Sequence, residues 1–422
     1  MQRFDVAVIG GGLLGCFAVR NLCRWDGSVL LLEAREDVCT GISRANSAII
    51  YPGYDHKPGT LKALMTVRGN EAFGRLCKEL DVPFSRCGSL MLSYGLKADA
   101  VLRSKYERGL QSGVPGLTLI SGREAEAMEP CLAAGVSSAL YAPTAGTVNP
   151  WELCIAAWEN ARQNGMQAFL NTRVLSIRST EDGYLLITAQ GDFFARVILN
   201  CAGMQAAHVQ ELVYPCSVSI HPTSGDYLIL DRRAAPLPSR IIQVEPEDGG
   251  KGLNAVPTVE GSLLLGPSER ENGTDWAVSE AGLTFVRRFA EQVFPGFSPE
   301  TVIRSFAALR PNPQRPDGSS IGSFVIEIDL TTVRTFSDIP TTFYYSSIPA
   351  VVVAVILLAF FRKTLGEFHN SYSNDVYGDS RLPAEKDGGK ANKMYKGFNL
   401  TLVLGIAICV IFWILIFKGA RI

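Results

Sequence analysis

The sequence predicts an α/β chain built in two parts, with an apolar helical hairpin at its C-terminal end. Three observations predict it. The run "DVAVIGGGLLGCFAVRNL", residues 5–22, reads as a short apolar strand, a glycine turn and a helix. The segments 215–231 ("PCSVSIHPTSGDYLILD") and 253–267 ("LNAVPTVEGSLLLGP") alternate and carry turn residues, the pattern of antiparallel strands. The stretches 339–361 and 397–417 carry no charge, and each is long enough to cross a hydrocarbon core of about 30 Å.

The bulk numbers bound the rest. At 422 residues the chain can bury a sizeable core, and its net charge of −1, with both signs interspersed, excludes a polyanion such as nucleic acid as the expected partner. Ten cysteines are scattered without a C-x-x-C pair, which reads as a reducing compartment. The four histidines, His56, His208, His221 and His369, lack metal-ligand spacing, so no metal site is expected. Only three residues precede the first apolar run, and glycines soon interrupt it, so the first strand starts at once and a cytoplasmic main domain is expected.

The first element is Phe4 to Ile9, a short apolar strand. The turn Gly10 to Gly15 places Gly10, Gly12 and Gly15 in G-x-G-x-x-G spacing, and Cys16 to Arg24 reads as a helix. Ser28 to Leu32 is a second strand, ending at Glu33. Strand, glycine turn, helix, strand and acid thus fall within some thirty residues. Glycines let the backbone approach a pyrophosphate, and the helix N-terminus offers free N–H groups and partial positive charge. Glu33 is placed to accept from a ribose hydroxyl. The stretch is therefore read as a dinucleotide site, which by itself does not separate FAD from NAD. Farther on, "GYDHKPGTLKAL" leads into a helix, and "VILN" followed by "CAG" at 197–203 is a strand ending in a tight turn.

These pieces resemble a known group. "VIGGGLLG", "LEA" at 32–34, "SRANSAIIYPGYDHKPGTLKA", "RCGSLML", "NCAG", "TSGDYLILD", "VPTVEGSLLLGP" and "SFAALRP" are together similar to the FAD-dependent oxidoreductases of the D-amino-acid oxidase superfamily, in the glycerol-3-phosphate dehydrogenase and L-2-hydroxyglutarate oxidase branch. The likeness runs over about residues 4–327. It implies a Rossmann-like FAD-binding domain with an antiparallel-sheet substrate domain inside residues 1–327. The flavin-binding parts fall at about 1–80 and 150–215, and the substrate-domain parts at about 81–149 and 216–310.

The resemblance further implies that FAD is held by Gly10, Gly11, Gly12, Leu13, Leu14 and Gly15, by Glu33 and Ala34, and by Ser43, Asn46 and Ser47 near the pyrophosphate and flavin. Val174 would meet the adenine through its backbone, and Ala202 and Gly203 would line the cofactor. Arg310 would anchor an anionic substrate, with hydride passing from a hydroxyl-bearing carbon to the flavin.

Two departures stand out. Relatives carry a histidine where "NSAIIYPG" has Tyr51, and an ordinary phenol, with a pKa near 10, is a poor base at neutral pH. His56, five residues on, is open between a place at the site and a place on the surface of the "DHKPG" turn. The catalytic candidates are therefore Arg310, Tyr51 and His56. The second departure follows "SSIGSFVIE", where the glycine–serine–proline–glycine turn expected against the flavin ring is missing.

In its place comes the apolar tail, read as transmembrane helices at 339–361 and 397–417 joined by a polar loop at 362–396. Flanking cations and aromatic residues suit the spans, but their distribution leaves the orientation open. The composition break near 324–329 fits either a membrane-anchored flavoprotein or the joining of two unrelated segments. The expected function is FAD-dependent oxidation of a small anionic hydroxy compound, glycerol 3-phosphate first and L-2-hydroxyglutarate or a related 2-hydroxy acid second. A non-catalytic flavin-fold remnant on a membrane anchor is the alternative from another class. The expected partners are the anionic substrate, the membrane, and an electron acceptor that is a quinone, oxygen or another protein.

Overall fold

The computed structural model describes residues 1–234, 237–247, 252–270 and 276–321, together with the backbone of 326–329 and 342–345. All of them belong to a unit over Met1–Val355; a second unit over Ile356–Ile422 lies outside the described residues.

The first sheet is built from the glycine-turn half of the sequence. Gln2–Ile9 pairs in parallel with Val29–Leu32 on one side and with Gly191–Asn200 on the other. Gln167–Phe169 extends it beyond Val29–Leu32, and the meander Val174–Thr180, Gly183–Thr188 and Gly191–Asn200 extends it the other way. Continuous apolar runs suit strands covered on both faces: all four residues of Val29–Leu32 are buried. Ala7, Ile9, Leu30, Leu32, Leu186 and Ile198 share one core with Phe4 and Phe193.

Helix Leu13–Leu22 packs beside this sheet against helix Pro150–Gln163. The second helix starts well: Pro150 occupies its first turn, and the Asn149 side chain accepts from the Trp151 and Glu152 N–H groups. Its buried residues are small where the helices meet, with Cys154, Ala157 and Ala161 at helical spacing.

The second sheet runs 302–314, 219–230, 263–266, 254–257, 241–244, 89–93, 138–142, 118–121. It is antiparallel as expected, with one exception: Ile241–Val244 runs parallel to Ser89–Ser93. The reason is connectivity. The two strands come from segments far apart in the chain, so no hairpin imposes opposite directions. Helix Glu280–Val293 covers one face with Val286, Phe289, Ala290 and Val293. A small third sheet, Ile49–Ile50, Gly146–Val148 and Phe84–Ser85, holds the loop that follows the glycine-turn half.

The tail reading needs one correction. Thr342–Tyr345, inside the expected span 339–361, is a strand, parallel to the end of Gly191–Asn200 at Ile198, Leu199 and Asn200. Ile326–Asp329 pairs with it antiparallel. Gly183–Thr188 pairs only with Gly191 to Ala195, so the later residues of that long strand offer an unfilled edge. The sequence "TFYY", β-branched and aromatic, suits the vacancy. The rest of 339–361, the loop 362–396 and the span 397–417 lie outside the described residues. Among the described residues no helix is long and apolar enough to cross a membrane.

Candidate active site

The glycine turn is shaped by close approach. Gly10 sits at φ +109°, and a Cβ there would meet the Cys201 carbonyl oxygen at 2.5 Å. At Gly15 a Cβ would lie 1.8 Å from the Gly10 carbonyl oxygen. Both positions therefore require glycine, and "NCAG" presses against the turn: Cys201 N–H donates to the Ile9 carbonyl, 2.8 Å. Ala202 and Gly203 follow, Gly203 at φ +57°, opening a short 3₁₀ turn.

The start of helix Leu13–Leu22 lacks a cap of its own, since Gly12 has no side chain and the first turn holds no acid. Ser43 supplies one from a distance: its Oγ accepts from the Leu13 N–H at 2.9 Å. The Ser43 hydroxyl proton remains to donate to an anion, and the first-turn N–H groups face the same place. Asn46 holds this loop, donating to the Ser43 carbonyl at 2.9 Å and accepting from the Ala48 N–H at 2.7 Å.

Glu33 is more engaged than the sequence suggests. Its Oε2 accepts from the Gly11 N–H at 2.6 Å and its Oε1 from the Arg35 N–H at 2.8 Å. Each oxygen keeps a second lone pair for a ribose hydroxyl. The loop 169–172 closes over Glu33, Ala34 and Arg35. Glu33 N–H donates to Phe169, Thr172 N–H to the Glu33 carbonyl and Asn171 N–H to the Arg35 carbonyl. Val174 begins the next strand, two residues past Thr172 and buried. The donor set, the two Cβ-intolerant glycines and the acid-free helix start fit a dinucleotide cofactor. Leu13 and Leu14, both half-buried, lie on the helix's first turn.

Farther along, the loop of Ser47 meets the second sheet at a group of phenols and cations. Ser47 Oγ lies 3.2 Å from the Tyr227 hydroxyl. Tyr227 stands in the long antiparallel strand pair Ser219–Leu230 and Val302–Gln314, opposite Phe306, on which its ring stacks at 4.8 Å and 3°. Four residues along the same strand and on the same face, Thr223 pairs with Arg310. Tyr51 shares this neighbourhood with Tyr227, Ser47 and Arg310. Burial raises the Tyr227 phenol to about 12, and desolvation of its hydroxyl raises that of the more exposed Tyr51. Both stay protonated at neutral pH and act as donors.

His56 lies within electrostatic reach of Lys62, Asp55, Arg108 and Arg310. Burial, then Lys62, holds its imidazole below the ordinary value of 6.5. Its loop is firmly tied. The Tyr54 hydroxyl donates to Gln243 Oε1 at 2.7 Å, Lys105 bridges Asp55 at 3.2 Å and Glu245 at 2.8 Å, and Asn70 Nδ2 donates to the Tyr51 carbonyl at 3.1 Å.

The sequence did not single out Tyr227, Lys62, Asp55 or Arg108. "TSGDYLILD" carries strand alternation but no sign that Tyr227 meets a serine 180 residues earlier. No group of acids, histidines or cysteines among the described residues is arranged to hold a metal ion.

A mixed sheet whose parallel centre carries a glycine turn, with a second sheet that presents donors and cations, fits a nucleotide-dependent oxidoreductase of two-sheet architecture. The chain belongs to the FAD dependent oxidoreductase (DAO) family, whose model matches residues 5–335. It is 38% identical over 326 residues to a glycerol 3-phosphate dehydrogenase of Caloramator mitchellensis, covering 77% of this chain and 67% of that protein. An L-2-hydroxyglutarate dehydrogenase of Indibacter alkaliphilus is 28% identical over 271 residues, 63% of this chain and 67% of that one. Among solved structures, the L-alpha-glycerophosphate oxidase of Mycoplasma pneumoniae with FAD bound superposes with TM-score 0.75 at 20% identity, covering 87% of this chain and 95% of that one. The cofactor of the family is FAD, and its members similar to this chain are dehydrogenases and oxidases of hydroxyl-bearing carbons.

Proposed function

We propose that this chain oxidises glycerol 3-phosphate at its secondary hydroxyl. The observation that carries this reading is the convergence of Tyr51, Tyr227 and Ser47 with Arg310 and His56 where the loop of Ser47 meets the second sheet. The 38% identity with a glycerol 3-phosphate dehydrogenase supports it.

Bound FAD would supply the two-electron sink, held by Gly10, Gly11, Gly12, Leu13, Leu14, Gly15, Glu33, Ala34, Ser43, Asn46, Ser47, Val174, Ala202 and Gly203. Arg310 binds the anionic end of the substrate through its planar fork. Tyr51 and Tyr227 donate hydrogen bonds to substrate oxygen and orient the reacting carbon. Neutral His56 accepts the hydroxyl proton as hydride leaves the same carbon, so alcohol becomes ketone with atoms and electrons balanced. Tyr51 is then a donor and not the base. Reoxidation calls on a quinone, oxygen or a partner protein.

L-2-hydroxyglutarate is the second reading, favoured by the 28% identity with a dehydrogenase of that acid. Anaerobic mixing separates the two: glycerol 3-phosphate bleaches the flavin band and L-2-hydroxyglutarate does not. Bleaching by neither compound refutes both, and protein that stays colourless with excess FAD points to a remnant without catalysis. We further place the chain at a membrane with its flavin part on the cytoplasmic side, a reading supported by the uncharged stretch 397–417 and its flanking lysines.

A further inference from the structure

We propose that Asn70 is a positioning residue for Tyr51: its buried side-chain amide, held from behind by Arg86, fixes the backbone from which the Tyr51 hydroxyl is presented to the substrate. This rests on the reading above that Tyr51 donates to substrate oxygen.

Asn70 stands on helix Leu61–Glu79 and is only 4% exposed. A buried primary amide costs stability unless its donors and its acceptor are met, so its partners say what it is for. Its Nδ2 faces three carbonyl oxygens, those of Thr144 at 2.9 Å, Tyr51 at 3.1 Å and Ile50 at 3.4 Å. Its Oδ1 accepts from Arg86 Nη1 at 2.9 Å, and Arg86 Nη2 donates to the Asn70 carbonyl at 2.9 Å. Only one orientation of the amide satisfies both sides. The reverse would set its oxygen against the carbonyls and its nitrogen against a cation.

The place of this cluster in the fold gives it a purpose. In the small third sheet Ile50 pairs with Gly146, and Ser85 pairs with Thr147. Tyr51, Arg86 and Thr144 therefore all lie past the same end of that sheet, where the ladder stops. The Asn70 amide stands in for the next rung, and Arg86 Nη1 closes on the Thr144 carbonyl as well, at 2.6 Å. The other end of the strand Ile49–Ile50 is set too: Val148 N–H donates to the Ala48 carbonyl at 3.2 Å, and Ser47 Oγ lies 3.2 Å from the Tyr227 hydroxyl. The chain beyond Tyr51 rests on the same helix, since a Cβ on Gly53 would lie 2.8 Å from Val67 Cγ2.

A strand of two residues cannot hold its own register, and a side chain from a long helix gives it a rigid reference. What the amide locates is the Tyr51 carbonyl itself, one bond from the Cα that carries the phenol. Arg86, exposed at the rim, supports the amide without entering the site.

The test measures steady-state kinetics of the full-length holoenzyme per bound flavin, with whichever of the two hydroxy compounds reduces it. The variants are Asn70→Ala, Arg86→Gln, Tyr51→Phe and the pair Asn70→Ala with Tyr51→Phe. Asn70→Ala lowers kcat by about ten- to a hundredfold, the effect of a donor misplaced by about 1 Å, while KM changes less. Arg86→Gln acts the same way to a smaller extent. In the Tyr51→Phe background Asn70→Ala changes kcat little, because no hydroxyl is left to misplace. A merely structural amide lowers kcat by the same factor in both backgrounds and overturns the proposal, as does full kcat in Asn70→Ala. If Asn70→Ala does not fold, the cycle of Arg86→Gln with Tyr51→Phe decides by the same criterion. Hydrogen exchange over residues 47–53 reads the clamp apart from activity and quickens in Asn70→Ala; unchanged exchange overturns the clamp. Quickened exchange beside wild-type kinetics in Tyr51→Phe, or beside a flavin that neither compound reduces, leaves the clamp standing and removes the donor role of Tyr51.

Discussion

Ser47 Oγ and the Tyr227 hydroxyl stand 3.2 Å apart across 180 residues of sequence. The contact ties the loop beside the glycine turn to the long strand pair of the second sheet, and the stack of Tyr227 on Phe306 fixes the phenol. In Tyr227→Phe the ring remains and the hydroxyl goes. Stability falls by about 0.5–1.5 kcal/mol, the net worth of an ordinary hydrogen bond. A larger effect falls on KM for the anionic substrate, since a donor to it is lost. Thermal unfolding and steady-state kinetics on the same preparation check both, and an unchanged KM removes Tyr227 from the site.

Glu33 serves the loop and, on our reading, the cofactor ribose. Glu33→Ala removes the acceptor of the Gly11 and Arg35 N–H groups. A hydrogen bond to a charged group is worth about 1.5–3 kcal/mol, so FAD affinity falls about ten- to a hundredfold. Glu33→Gln, which keeps one acceptor oxygen, loses less. Fluorescence titration of the apoprotein with FAD measures both, and full affinity in Glu33→Ala assigns the acid to the loop alone.

Gly15→Ala is a steric test. The added methyl would lie 1.8 Å from the Gly10 carbonyl oxygen, so the turn must move. Overpacking of this kind costs about 1–3 kcal/mol, and here it displaces the pyrophosphate cradle as well. The variant is expected to purify with little flavin, read from the absorbance ratio. Full flavin occupancy would mean that the turn yields freely.

His56 sets an acid limb. Burial, then Lys62, lowers its folded-state pKa below the ordinary 6.5. The base therefore stays neutral, and kcat/KM stays level, below pH 6.5, falling only through the lowered folded-state value. For stability the sign is the same. The unfolded chain takes the proton at higher pH, so acidification from about pH 6.5 down through the folded-state pKa destabilises the fold. His56→Gln is expected to lose about 10²–10⁴-fold in kcat and to lose the acid limb. An unaltered pH profile in that variant would return His56 to the surface.

The tail makes the last prediction. The stretch 397–417 carries no charge over a length that suits one span. Full-length protein is expected to stay in the membrane pellet after carbonate extraction, and a chain ending at residue 355 to be released from it. Recovery of the full chain in the soluble fraction without detergent refutes the anchor. The shortened chain keeps Thr342–Tyr345, so its flavin sheet retains that edge strand.

What the sequence determined by itself is local. Glycine spacing, an apolar strand before it, a helix after it and Glu33 at the end of the next strand all lie within one βαβ unit, where each residue's own dihedral and charge preferences decide the outcome. The same holds for the alternating strands 219–230 and 254–257. Tertiary structure alone decided the rest. Ser47 and Tyr227 meet through elements folded from distant segments, and no periodicity in either segment encodes the partner. The direction of Ile241–Val244 beside Ser89–Ser93 depends on which edge was free. So does Thr342–Tyr345: an aromatic, uncharged run reads equally well as part of a membrane span or as a strand. Hydropathy cannot separate the two, because apolar and aromatic residues suit both; the unfilled hydrogen-bonding edge beyond Ala195 can, because only a strand completes it.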